Sequence, residues 1–210
     1  MTRLQGRILA LISIPFFLFS VRTAKAVSIT ALAGVGQSSA NVNPTTGFTT
    51  GPHAMTYGWG GLVEFKMFPK VYMELGGIYI PRGYQEKAVG ISPVEYTMNT
   101  LQIPLVLRVY LLPSISVGMG AYYSHAFGSL HSYSVALPAA VTDSAYGPGA
   151  YSADDYGAVG SVGLKIGFSK IPFALIVQGR YLYSLNNISN FGNTITMSEM
   201  QAFGGIRFGN

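Results

Sequence analysis

Residues 55–67 read MTYGWGGLVEFKM, and the alternation in that stretch limits what the chain can fold into. Met55, Tyr57, Trp59, Gly61, Val63, Phe65 and Met67 share one parity; Thr56, Gly58, Gly60, Leu62, Glu64 and Lys66 share the other. Apolar residues at period two specify a β-strand with one face turned away from water. The same pattern recurs over Val27–Gln37, Met55–Met67, Val71–Ile80, Met98–Leu111, Ile115–Phe127, Gly157–Phe168, Phe173–Leu185 and Thr196–Phe208. The connections alternate in length. FPK (68–70), LPS (112–114) and SKIP (169–172) are tight, Pro-bearing turns, whereas Ser38–Ala54, Pro81–Thr97, Gly128–Tyr156 and Asn186–Ile195 are long and polar. Short turns at one end and long loops at the other are the pattern of a membrane-spanning barrel.

Alternation alone does not say which face is outside, because a soluble lipocalin-like barrel alternates with its apolar side inward. Charge and glycine decide it. Only 10% of residues are charged, against roughly 25% in ordinary soluble domains. Between Thr100 and Thr142 the single formal charge is Arg108, too little for a solvated exterior. Glycines collect on the polar parity (Gly34, Gly36, Gly58, Gly60, Gly76, Gly118, Gly120, Gly163, Gly167, Gly205) more than on the apolar one (Gly61, Gly77, Gly160, Gly179, Gly204). An eight-stranded barrel is only just wide enough for its own side chains, so small residues belong inside. The expected fold is all-β: an eight-stranded antiparallel transmembrane β-barrel, lipid outside, with short periplasmic turns and long extracellular loops. Leu101, Ile103, Leu105, Leu107 and Val109 then face lipid from one strand, and Ile115, Val117, Met119, Ala121 and Tyr123 from the next.

The first 26 residues read as a separate segment. Arg3 and Arg7 precede an apolar run, Ile8–Val21, and Ala24-x-Ala26 closes it. This is the layout of a secretory signal peptide cleaved after Ala26, leaving residues 27–210 as the barrel domain. Arg3, Arg7, Arg22 and Lys25 depart with it. Nine basic and eight acidic residues remain, so the apparent basicity belongs to export and gives no reason to expect nucleic acid as a partner. Cysteine is absent, which removes disulfides, thiolate metal sites and thiol nucleophiles.

Inward parity gathers Glu64, Lys66, Glu74, Gln102, Arg108, Lys165, Gln178, Arg180, Glu199, Gln201 and Arg207. Charges inside so narrow a lumen must pair, or desolvation is heavily unfavourable. If the FPK turn pairs Met67 with Val71, Glu64 lies opposite Glu74, and like charges facing each other destabilise a sheet. Arg108 on the following strand is the expected bridge. The expected ionic network is Glu64, Lys66, Glu74, Arg108, Lys165, Arg180, Glu199 and Arg207. Near strand ends, Tyr57, Trp59, Phe65, Tyr79, Tyr123, Phe168, Phe173, Tyr181, Tyr183 and Phe208 suit the aromatic girdles of a membrane interface.

The stretch LQIPLVLRVYLL (101–112) resembles the Pro-bearing strand of the PorT-like outer-membrane β-barrel domain. The whole plan is similar to eight-stranded barrels of the OmpA and OmpX type. The resemblance implies a Gram-negative outer-membrane location, outer-membrane lipid and lipopolysaccharide as surroundings, and the barrel-assembly machinery as a partner in biogenesis. It implies no particular chemistry. One departure stands out: such barrels commonly finish on an aromatic residue, whereas this chain ends IRFGN, with Ile206 and Phe208 carrying the terminal alternation.

Some small outer-membrane barrels modify lipid, and the catalytic groups of such an enzyme would stand near the outer rim. Ser124 and His125 are sequence neighbours and point to opposite faces. His131 and Ser132 lie in a loop whose acids, Asp143, Asp154 and Asp155, are distant in sequence, and His53 is an isolated loop residue. A Ser/His pair needs its base in reach and an orienting acid. No catalytic residue, metal site or cofactor is expected. The expected function is that of a non-enzymatic, monomeric barrel with a plugged polar lumen, structural or adhesive through its surface loops. A lipid-modifying enzyme of the outer leaflet, a small porin-like channel and a soluble periplasmic barrel are the alternatives.

Overall fold

A sheet of such alternating strands must close on itself or leave two unpaired edges, and within a bilayer an edge has no water to satisfy it. The computed structural model describes residues 27–43, 48–88, 92–134, 137–144, 151–168, 172–190 and 193–209. The expected signal peptide and its cleavage point at Ala26 lie outside the described residues. The described residues form ten strands: β1 (Val27–Asn43), β2 (Phe48–Pro52), β3 (Thr56–Phe68), β4 (Val71–Ala88), β5 (Val94–Tyr110), β6 (Ile115–Ser134), β7 (Leu137–Ser144), β8 (Asp154–Gly167), β9 (Phe173–Ser184) and β10 (Thr194–Phe208). Eight of them close an antiparallel ring in the order β1, β3, β4, β5, β6, β8, β9, β10, and β10 returns to β1 from Ile29↔Phe208 to Asn43↔Thr194. β2 and β7 stand off this ring, pairing with the outer ends of β4 and β6.

The strands reach further into the long-loop end than the sequence alternation suggests. Pro81–Thr97 reads as one loop, yet β4 continues to Ala88 and β5 begins at Val94, paired as far as Glu86↔Val94. Two causes hid this. Beyond the lipid belt the outward residues need not be apolar, so the alternation fades. Pro81, which reads as a strand end, sits in a gap on β4 between its pairing with β3, ending at Trp59↔Tyr79, and its pairing with β2, beginning at Pro52↔Tyr84. A missing N–H is harmless in such a gap.

At the opposite end the FPK turn differs from the expected pairing by one residue. Phe68, not Met67, lies opposite Val71, and Met67 is bulged out. Lys70 closes the turn in the left-handed region, at φ 67°. Lys66 still faces Tyr72, and the register of the strand above the bulge is unaffected.

Parity sorts the faces. Leu101, Ile103, Leu105 and Leu107 are exposed, while Gln102 and Val106 between them and Arg108 after them are buried. Met119 is 73% exposed and Tyr57 81%. An exposed apolar surface running around the whole ring far exceeds the few hundred Å² that water-soluble monomers tolerate. A lipid environment satisfies it.

The lumen-facing glycines are there for space. A Cβ on Gly120 would meet the Leu105 carbonyl oxygen at 2.0 Å, and one on Gly60 the Gly77 carbonyl oxygen at 2.3 Å. On the lipid face, a Cβ on Gly160 or Gly204 would meet nothing within 4 Å. Neighbouring strands therefore coil inward over the glycines.

Candidate functional site

Two charged layers fill the lumen. In the lower one, nearer the short turns, Glu64 on β3 and Glu74 on β4 lie directly opposite each other. Arg108 from β5 joins them: its Nη2 and Nε donate to Glu74 Oε2 at 2.6 and 3.2 Å, and its Nε lies 3.4 Å from Glu64 Oε1. Arg180 from β9 donates to Glu74 Oε1 at 2.7 Å, and Arg207 from β10 holds Glu64 Oε2 at 2.6 Å. The Tyr110 hydroxyl donates to Glu64 Oε2 at 3.1 Å and accepts from Arg207. Arg108 also donates from Nη1 to Ser116 Oγ at 3.0 Å. Three guanidinium groups thus share two carboxylates, each carboxylate taking charge-assisted bonds from two other strands.

The upper layer has the opposite balance. Arg82 donates to Asp155 Oδ2 at 2.6 Å, and its Nε lies 3.0 Å from Glu199 Oε2. Tyr122 and Ser184 hydroxyls donate to Asp155 at 2.9 and 2.7 Å. Gln102 links the layer to Gln201: it donates to Glu199 at 2.7 Å and accepts from Gln201 at 2.8 Å. All these groups are buried. Across both layers, Arg82, Arg108, Arg180 and Arg207 meet Glu64, Glu74, Asp155 and Glu199, so the two layers together are formally neutral.

Above the charged layers an apolar cluster closes the long-loop end. Ala40, Val42, Tyr84, Met98, Ala126, Leu130, Ile188, Ile195 and Met197 pack together, with Tyr96 and Tyr151 against them. Among the described residues, two cavities within the lumen measure only about 10 Å³ each, room for a single water at most. The wider space lies at the short-turn mouth, about 450 Å³, beside Lys66, Lys70 and Lys165.

Of the network residues expected from sequence, Glu64, Glu74, Arg108, Arg180, Glu199 and Arg207 lie buried in the two layers. Lys66 does not join them: it is exposed at the mouth, because the strand there has passed the last buried layer. Lys165 is half-buried at the same mouth, with its Nζ 5.4 Å from the centre of the Tyr110 ring. Sequence reasoning missed Arg82 and Asp155, both assigned to loops. The parity Ile78, Ile80, Arg82 carried the signal for the first of them.

The rim histidines also differ from expectation. His53, expected to be isolated, is buried; its Nε2 lies 2.7 Å from Thr97 Oγ1 and 3.2 Å from Glu95 Oε1. Glu95 also accepts from the Ala54 amide at 3.1 Å and the Tyr133 hydroxyl at 2.6 Å. On the outer face, β6–β8 pairing sets His125 against Asp154, Nδ1 to Oδ1 2.8 Å, and the Tyr123 hydroxyl donates to the same oxygen at 2.5 Å. Ser124 points the other way, into the lumen, and is buried. His131 lies opposite Asp143 in the β6–β7 pairing. Among the described residues no group of His, Asp and Glu is placed to hold a metal ion.

Residues 19–190 match the family model described as the outer membrane protein beta-barrel domain. The chain belongs to this family. The match ends before β10, which nonetheless completes the ring. Among solved structures, the outer membrane protein OprG from Pseudomonas aeruginosa is 15% identical, covering 90% of this chain and 99% of that one at a TM-score of 0.49. Ail, the attachment invasion locus protein of Yersinia pestis, is 12% identical over 87% and 99% at 0.44. Neisserial surface protein A is 11% identical over 86% and 96% at 0.45. No curated protein matches by sequence.

The outward aromatic residues fall into two belts, the loop-side one rich in tyrosine but including Phe127, 5.9 Å from Tyr79. At the short-turn end Phe65, Phe68, Phe168, Phe173 and Phe208 gather, with Phe173 6.2 Å from Phe168 and 6.4 Å from Phe208, ring centre to ring centre. Toward the loops stand Tyr57, Trp59, Tyr79, Tyr123, Tyr181 and Tyr183, with Trp59 5.8 Å from Tyr79. From Phe65 to Tyr57 on β3, a tilted strand climbs about 20 Å, close to the apolar height of such barrels.

The Glu95 cluster lies beyond the upper belt, where water reaches the protein. Burial alone raises the Glu95 carboxyl, but the Tyr133 and Ala54 hydrogen bonds and the nearby His53 outweigh it and hold the pKa below its ordinary value. The folded pKa being depressed, this stabilisation is present above the ordinary carboxyl value and is lost as pH falls through the folded one. Acidification below the ordinary carboxyl range is therefore expected to release the Ala54 amide from Glu95. Hydrogen exchange at the Ala54 amide reads it out: protection falls with acid in the native protein, and Glu95→Gln abolishes that dependence. Unchanged acid protection in the native chain would contradict the assignment.

Proposed function

We propose that this barrel is a non-enzymatic outer-membrane scaffold whose plugged lumen transmits nothing and whose long loops, turned outward from the cell, make its contacts. The observation that carries this reading is the lumen itself. Two buried ionic layers and an apolar cluster are stacked along the axis, and the cavities between them hold about 10 Å³ each. An ion would have to displace several charge-assisted hydrogen bonds at once to pass. Short turns on the periplasmic side and long loops on the outside follow the common arrangement of such barrels. The extension of β4, β5 and β6 past the lipid belt, with β2 and β7 added to it, gives those loops a rigid base.

In planar bilayers the purified barrel is expected to show no discrete conductance steps at physiological salt. Reproducible steps that persist in Arg108→Ala and disappear on heat denaturation would replace this reading with a channel. For the surface role, trimming the loops in intact cells by protease should abolish any cell-attachment phenotype while leaving the barrel in the membrane.

The His125–Asp154 pair favours a second reading, a lipid-modifying enzyme, since an acid-oriented imidazole at the outer rim is half of a hydrolytic site. The neighbouring hydroxyl is unsuited to complete it: Ser124 is buried on the opposite face. Hydrolysis of lipid esters by the reconstituted barrel, lost in His125→Ala, would establish that reading.

A further inference from the structure

The formal charges outside the lumen divide by end. Toward the loops stand Glu86, Glu95 and Asp154, with Lys87 as the lone lysine; Asp143 belongs there by its place in β7. At the short-turn mouth stand Lys66, Lys70 and Lys165, with no carboxylate at the surface among the described residues.

These three lysines share one concave space of about 450 Å³, walled by Tyr72, Tyr110 and Leu112. Its floor is the lower ionic layer. The Tyr110 hydroxyl is tied to Glu64 and Arg207, and Arg207 lies under the Tyr72 and Tyr110 rings, 5.9 and 5.7 Å from their centres. Tyr72 and Tyr110 meet edge to face at 5.0 Å, which fixes the wall. The carboxylate below, Glu64, is already engaged by Arg108, Arg207 and Tyr110, and its pull on Lys165 is opposed by Arg207. None of the three lysines makes an ion pair with a described residue.

We propose that this vestibule is a binding site for a small water-borne polyanion, one carrying two or more phosphate or carboxylate groups on a compact carbon skeleton. Like charges gathered in a concavity raise the local potential and concentrate counter-ions of the opposite sign. Ordinary solvated lysines sit on convex surface among carboxylates; these share a hollow to which no described residue brings a surface carboxylate. Lysine ammonium groups are point charges on flexible stems, so they accommodate several anion geometries, where arginine would select planar, bidentate ones. The volume lies within the usual range for small-molecule sites, and the tyrosine rings offer a carbon skeleton a flat wall. Lys66 and Lys165 occupy lumen-facing parity and line the axial mouth, away from the perimeter where lipid headgroups pack. That placement favours a ligand arriving from the aqueous side. In the orientation proposed above this is the periplasm, but binding itself does not depend on the orientation.

The test uses the full mature barrel refolded into zwitterionic nanodiscs, with pyrophosphate and citrate as probes and calorimetry as the readout. One-to-one saturable binding is expected at low salt, weakened about fivefold by each of Lys66→Gln, Lys70→Gln and Lys165→Gln. Lys87→Gln, at the far end, is expected to leave affinity unchanged. Heat-modifiable gel mobility confirms that each variant is folded, and Lys66 and Lys70, being exposed, carry little folding risk. Failure to saturate by about 10 mM overturns the proposal, as does equal weakening by Lys87→Gln. Loss of pyrophosphate binding in nanodiscs of anionic phosphatidylglycerol would assign the mouth to lipid headgroups and overturn the water-borne ligand. Conductance is unaffected by these variants, so failure here is distinct from failure of the plugged-lumen reading.

Discussion

Glu74→Ala is expected to destabilise the folded barrel by about 3–5 kcal/mol, and Arg108→Ala by less, about 1–3 kcal/mol. The order follows from the composition of the lower layer. Facing carboxylates on adjacent strands suggest at first that the arginine between them is the indispensable member. The structure supplies two more cations from across the lumen: Arg180 holds Glu74 at 2.7 Å and Arg207 holds Glu64 at 2.6 Å. Without Arg108 each carboxylate retains one guanidinium. Without Glu74, Arg108 and Arg180 lose their shared acceptor, and three buried cations converge on Glu64 alone. A buried charge stripped of its partner is the strongly destabilised state. Urea unfolding of the reconstituted barrel, followed by tryptophan fluorescence and gel mobility, measures both variants. The double variant Glu74→Ala/Arg108→Ala should fall short of additivity by about 0.5–3 kcal/mol. Equal midpoints for the two single variants, or strict additivity, would refute the shared-acceptor account.

What could be read from sequence, and what could not, divides along the same line. Period two fixes which face a residue takes, and a three-residue turn fixes the register of the two strands it joins. Both are local, and the opposition of Glu64 and Glu74 follows from them once the bulge at Met67 offsets the one-residue difference in the turn. The closed ring of eight follows from counting alternating segments and noting where short turns fall. The partners across the lumen are another matter. Arg82 meets Asp155 from 73 residues away, and Arg180 meets Glu74 from 106. Which residues share a level across the barrel depends on the stagger accumulated over all eight strands, including registers set through long loops. No local pattern encodes that sum. The same holds for His125 and Asp154, neighbours only once β6 and β8 have registered across the long connection between them. Arg82 is the exception: its parity was readable, and Pro81 concealed it.

A matched pair of glycine substitutions separates the two faces of the wall more sharply than any charge variant. Gly120 on β6 points into the lumen and Gly160 on β8 points to lipid, and they lie in adjoining positions of the same strand pair, Gly120 opposite Val159 and Met119 opposite Gly160. A methyl group added at Gly120 would lie 2.0 Å from the Leu105 carbonyl oxygen and 2.8 Å from Val106 Cα, both backbone atoms of β5. Backbone cannot rotate aside as a side chain does, so β5 and β6 must separate or lose their coil. Overpacking of this kind costs about 1–3 kcal/mol where side chains can yield, and Gly120→Ala is expected at or above the top of that range. At Gly160 the same methyl meets nothing within 4 Å. It also replaces the backbone freedom of glycine in a strand interior, so Gly160→Ala is expected to be neutral or to stabilise by up to about 1 kcal/mol. Refolding yield into lipid vesicles and the urea midpoint report both changes, and only the lumen-side variant should lose the heat-modifiable folded band. Similar behaviour of the two variants would mean that strand propensity, rather than the narrowness of the lumen, placed glycine on the inner face.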